Sequence, residues 1–113
     1  MPVYFVQAGE AGAVKIGWAK VVTARIRAIQ PFCPAPLRLL RETPGDKFVE
    51  AWFHRQFASR RIAHEWFTFD PRMLDLEPPA ALLSDDRDTR YRFFHPRTRR
   101  RWPQAEPTEP RAA

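Results

Sequence analysis

Two β-prone runs separated by a glycine-bearing turn constrain this chain more than any other feature. Val3, Tyr4, Phe5, Val6 and Gln7 are followed by Ala8-Gly9-Glu10-Ala11-Gly12, and then by Val14, Lys15 and Ile16. Glycine enters positive φ at no steric cost, so the chain can reverse there, while β-branched and aromatic residues favour extended backbone on either side. The pattern predicts an antiparallel hairpin. Side chains alternate between the faces of a strand, so Tyr4 and Val6 share one face, and Lys15 and Gly17 share a face opposite to Val14 and Ile16.

From Val22 the period changes. Val22, Ile26 and Ile29 recur at spacings of four and three, with Thr23 a candidate cap, until Pro31 disfavours continuation. On this short helix Arg25 and Arg27 lie about 200° apart, so both cannot face one site. Leu37, Leu39 and Leu40, with Arg38 and Arg41, then suggest a third strand. Asp46 caps a second helix whose apolar face carries Phe48, Val49, Trp52, Phe53 and Phe57, with Glu50 and His54 together one turn apart beside it. Trp66, Phe67 and Phe69 form a last extended run against the core. These elements predict an α+β fold: a small three-stranded antiparallel-type sheet flanked by helices, in the order ββαβα.

Nine Phe, four Trp and two Tyr among 113 residues supply much of the core, since each buried aromatic removes about 150 to 250 Å² from water. They are concentrated before residue 70. The reading therefore places a domain at 1–70, a Pro-containing linker at 71–84 and a disordered Arg-rich tail at 85–113. A lone cysteine, Cys33, excludes an intrachain disulfide. No signal-peptide h-region or membrane-spanning run is visible, so a cytoplasmic setting without membrane contact is expected.

The net charge is +6, which favours a polyanionic partner. Residues 1–84 hold eleven Lys and Arg against eight Asp and Glu, and residues 85–113 hold eight against five. Between 87 and 101 seven Arg face only Asp88. Arg97, Arg99, Arg100 and Arg101, interleaved upstream with Tyr91, Phe93 and Phe94, have the composition of a segment that binds phosphates while its rings stack on unpaired bases. An inert solvated tail and a segment that folds on a protein partner are the alternatives.

The ordered set Val3-Tyr4-Phe5, Lys15-Ile16-Gly17, Arg25, Glu50, His54 and Trp66-Phe67 resembles the GIY-YIG nuclease superfamily over about residues 2 to 69. It is closest to the phage-type and Mug-like branch, in which KIG takes the place of YIG. Val3 stands where most members have glycine, and Lys15 replaces the second tyrosine. The resemblance implies an endonuclease that hydrolyses nucleic-acid phosphodiesters, DNA in the first instance, with one Mg²⁺ or Mn²⁺ per site. Tyr4 is then general base or water-positioner, Arg25 stabilises phosphoryl charge, Glu50 is the metal's carboxylate ligand, and His54 orients water or phosphate. Lys15 is placed to lower the pKa of Tyr4 by about 1 to 3 units. A catalytically inactive nucleic-acid-binding or recruitment module of the same fold is the alternative, and a protein-interaction adaptor a third. Glu65 reads as solvated or paired to an arginine, and Cys33, His54 and His64 lack zinc spacing.

Overall fold

In the computed structural model, which describes residues 2–95, the two β-prone runs become β1 (Pro2–Ala8) and β2 (Val14–Trp18), paired antiparallel with Tyr4 opposite Gly17 and Val6 opposite Lys15. Gly9 takes φ 73° in the connecting turn, where its amide bonds the Pro36 carbonyl. β3 (Leu37–Pro44) pairs with the other edge of β1.

Two further strands extend the sheet beyond β2. β4 (Arg61–Ala63) and β5 (Trp66–Phe67) form a tight hairpin whose β5 pairs with Val14 and Lys15, giving a five-stranded antiparallel sheet in the order β3-β1-β2-β5-β4. The sheet therefore has five strands, not the three expected. The extra pair is too short to show alternation, and its turn places His64, not glycine, in the left-handed region at φ 54°.

One helix covers each face. α1 (Val22–Ile29) lies over Tyr4, Val6 and Ala19, with Ile26 and Leu37 at the margin. Its N-cap is Val21, which makes no side-chain capping bond, so Thr23 is not the cap. α2 (Lys47–Gln56) begins at Asp46, whose carboxylate accepts from the Phe48 amide at 2.9 Å. It buries Phe48, Val49 and Phe53 against Val3, Phe5, Val14, Ile16 and Phe67, each such side chain contributing about 1.5 to 3 kcal/mol. Because Val3 and Phe5 point to α2 while Tyr4 and Val6 point to α1, the alternation reaches both faces of the sheet.

The segment expected to be a linker packs onto the core. Met73 and Leu82 are fully buried in the α2-side cluster. Asp70 holds the turn at Pro71–Leu74 by accepting from the Arg72 amide. Residues 87–94, expected to be disordered, form a third helix, α3 (Arg87–Phe94). Arg90 pairs with Asp46 at 2.8 Å, and the rings of Tyr91 and Phe94 pack on Phe48. Charge density alone predicts disorder there. A few contacts to α2 override it. No helix among the described residues is long and apolar enough to cross a membrane.

Candidate active site

Tyr4 and Gly17, register partners across the hairpin, are in direct contact. The phenol ring of Tyr4 lies over the Gly17 Cα so closely that a Cβ at position 17 would overlap the ring and its hydroxyl. The glycine of KIG is thus the seat of the tyrosine, and its role is close approach, since its φ lies outside the positive range. Tyr4 is fully buried, and among the described residues its Oη has no hydrogen-bond partner.

Around that hydroxyl stand the charged groups. Burial raises the Tyr4 phenol above its ordinary pKa, Glu65 and Glu50 add to the rise, and the nearby Arg25 guanidinium opposes it. The expectation that Lys15 lowers this pKa does not hold. The Lys15 ammonium is instead bonded to Glu65 Oε1 at 2.7 Å and sits 5.8 Å from the Trp66 ring centre. Tyr4 is therefore a neutral hydrogen-bond donor at physiological pH.

Glu50 reaches this group because β5 is so short. β5 pairs only with Val14 and Lys15, leaving the Ile16 carbonyl to α2, where His54 Nε2 takes it at 2.9 Å. Glu50, one turn earlier on the same side of α2, comes into contact with Glu65. Its side chain is only 16% exposed, and its carboxyl is pushed up to about 7, first by burial and then by the neighbouring Glu65. Burial also acts on Glu65, yet its pKa is lowered, because the Lys15 hydrogen bond and charge outweigh that cost.

Both ring nitrogens of His54 are engaged. A carbonyl can only accept, so Nε2 carries the proton toward Ile16, and Nδ1 accepts from Arg61 Nη2 at 3.4 Å. Burial lowers the imidazole pKa, which fits this neutral tautomer. The Nε2 to Glu50 Oε2 separation of 3.7 Å is too long for a hydrogen bond. His54 consequently fastens α2 to β2 and positions Glu50, leaving no nitrogen for water or phosphate.

Tyr4, Lys15, Arg25, Glu50 and His54 are thus brought to one region, around Lys15, Ile16 and Gly17 of β2. Arg25 is exposed, yet its charge acts on both Tyr4 and Glu50. No described contact brings Arg27 there. Glu65 is the residue that sequence reasoning missed: its cation is Lys15, and its position depends on a strand pairing fifty residues away in sequence. The only sequence signal was its place directly before Trp66-Phe67. Arg97, Arg99, Arg100 and Arg101, together with the disorder expected for the tail beyond residue 95, lie outside the described residues.

Among the described residues no group of three or more His, Cys, Asp and Glu is suited to hold a metal. Any ion there would draw most of its coordination from water and substrate oxygens, as magnesium commonly does. No curated protein and no solved structure matches this chain. A family model, the T5orf172 domain, matches residues 1–76, a span that contains the sheet, α1, α2 and every residue of the site. The chain belongs to the T5orf172 domain family, a nuclease-like family that points to interaction with nucleic acid.

Proposed function

We propose that this protein is a GIY-YIG-like endonuclease that hydrolyses phosphodiester bonds in DNA with one Mg²⁺ or Mn²⁺. The observation that carries this reading is the gathering of a buried phenol, a guanidinium and a half-buried carboxylate around one point, each from a different element. Within this group the Glu50 carboxyl, buried beside Glu65, is pushed up to about 7. Perturbed groups of this kind cluster at functional sites.

Glu50 suits a hard cation. It is an oxygen donor with little solvent, and His54, 3.7 Å away, is neutral and committed to Ile16. A cation held there would polarise the phosphoryl group and activate a water. The chain's own residues supply the rest. Arg25, exposed on α1, presents a planar fork to two phosphate oxygens and stabilises charge that grows on them in the transition state. The protonated Tyr4 hydroxyl donates a hydrogen bond that orients the attacking water or the phosphate, so Tyr4 positions more readily than it deprotonates. Lys15 holds Glu65 and adds positive charge near the phosphate.

A second reading retains nucleic-acid binding without cleavage. The complete burial of Tyr4 and the engagement of Lys15 by Glu65 favour it. Incubating the full chain with supercoiled plasmid and Mg²⁺ separates the two. The endonuclease reading expects nicking that disappears on chelation and falls at least about 100-fold in Glu50→Ala. Binding without nicking at any protein concentration would sink it in favour of the second.

A further inference from the structure

The reading above gives the cation to Glu50 alone, yet Glu65 stands where a second ligand would. Its carboxyl comes from the turn between β4 and β5 and meets that of Glu50 from α2 closely enough for one to donate a hydrogen bond to the other. Lys15 holds Glu65 by Oε1 at 2.7 Å. Two carboxyls thus approach each other, with the Lys15 ammonium bonded to Glu65 and the charges of Lys15 and of α1's Arg25 acting on Glu50. Once both are ionised, they repel.

A separate observation points to an occupant. The Tyr4 hydroxyl is fully buried, makes no hydrogen bond of good geometry among the described residues although the Arg25 guanidinium stands near it, and feels the charge of the same two carboxyls. A buried hydroxyl without a partner costs about 1 to 3 kcal/mol, so such groups normally meet an ordered water or ion. An ion-bound water between the carboxylates and the phenol would satisfy it.

We propose that Glu50 and Glu65 together hold one hard divalent cation, with Lys15 fixing Glu65 and the Tyr4 hydroxyl directed at a water in the cation's shell. The proposal rests on the reading of Glu50 as a metal ligand and adds Glu65 to it. Oxygen-only donors of this kind suit Mg²⁺ or Mn²⁺ better than Zn²⁺. With Lys15 and Arg25 counted, the loaded site is net positive, which attracts a phosphodiester anion. Lys15 accordingly serves a purpose that a second tyrosine would not: it keeps Glu65 ionised and aimed at Glu50.

Mn²⁺ binding to the full chain, followed by the loss of the free-ion electron paramagnetic resonance signal and without nucleic acid, tests this. Wild type, Glu50→Gln, Glu65→Gln and Glu65→Asp are compared, with circular dichroism confirming that each is folded. Each Gln variant is expected to bind Mn²⁺ at least about tenfold more weakly, and Glu65→Asp, which keeps the charge, to fall between. Mg²⁺ should displace the Mn²⁺. If Glu65→Gln binds as wild type does while Glu50→Gln does not, Glu65 is removed from the site and the Glu50 reading stands. If wild type binds no Mn²⁺, or if binding is indifferent to both glutamates, the metal reading itself falls and this proposal with it.

Discussion

Replacing Glu50 by Gln should stabilise the metal-free protein at alkaline pH. The carboxyl titrates near 7 in the fold against an ordinary 4.5, chiefly because it is buried and faces Glu65. The folded state therefore holds this proton more tightly than the unfolded chain does. No penalty exists below about pH 4.5, it grows between 4.5 and 7, and it is complete above 7. At about 1.4 kcal/mol per pH unit the gap sets an upper limit of about 3 kcal/mol. Sharing of the proton with Glu65 and residual screening reduce this to about 1 to 2 kcal/mol. A neutral amide removes the penalty and can still donate to Glu65. In a domain of this size 1 kcal/mol moves the melting temperature by about 4 to 8 °C, so Glu50→Gln should melt about 5 to 15 °C above wild type at pH 8 in chelator. At pH 4 the two should coincide. Calorimetry or circular dichroism melts at both pH values decide the matter. Lower stability of Glu50→Gln at pH 8, or an equal shift at both, would refute the electrostatic account of the site.

Gly17→Ala places a Cβ in the Tyr4 ring, and overpacking of this kind costs about 1 to 3 kcal/mol. Because Gly17 has no positive φ to lose, most of that cost should vanish in a Tyr4→Val background, as a double-mutant melting cycle would reveal. Asp70 is held down to about 2, first by its hydrogen bond to the Arg72 side chain. Its stabilisation is present above the ordinary 3.8 and lost as pH falls through about 2. Asp70→Ala should cost about 1 to 2 kcal/mol at pH 7, through the lost turn cap and ion pairs, and much less near pH 2. Ending the chain at residue 86 uncovers Phe48 and should lower stability by about 2 kcal/mol; an unchanged melt would mean that α3 adds nothing to the fold.

The parts of the fold with a clear local signal were legible. The hairpin showed in the alternation of Val3 to Gln7 against Val14 to Ile16, and α2 showed in the Asp46 cap and the Phe48 to Phe57 spacing. What escaped depends on contacts distant in sequence. β4 and β5 are too short to carry a period, and their position follows from the edge that β2 offers. α3 is charged enough to read as disordered, and only Phe48 and Asp46 waiting on α2 give it a place. At the site, the face shared by Tyr4 and Lys15 followed from alternation, helical geometry allowed only one of Arg25 and Arg27 to face it, and the choice of Arg25 came from the family resemblance. The pairing of Lys15 with Glu65 did not, because no local pattern says which strand lies beside β2. For the same reason His54 read as orienting water or phosphate, although both its nitrogens are engaged within the fold.

Arg25 and Arg27 provide the most direct test of the central claim, because they differ only in which way α1 points them. Both are exposed arginines on one helix, and replacing either with alanine removes the same charge. The measurement is the rate of Mg²⁺-dependent nicking of supercoiled plasmid by the two variants beside wild type. Arg25→Ala should lose about 100-fold or more, as expected for a donor that meets transition-state charge, while Arg27→Ala stays within a few-fold of wild type. Equal losses in the two variants, or wild-type protein that does not nick, would contradict the account.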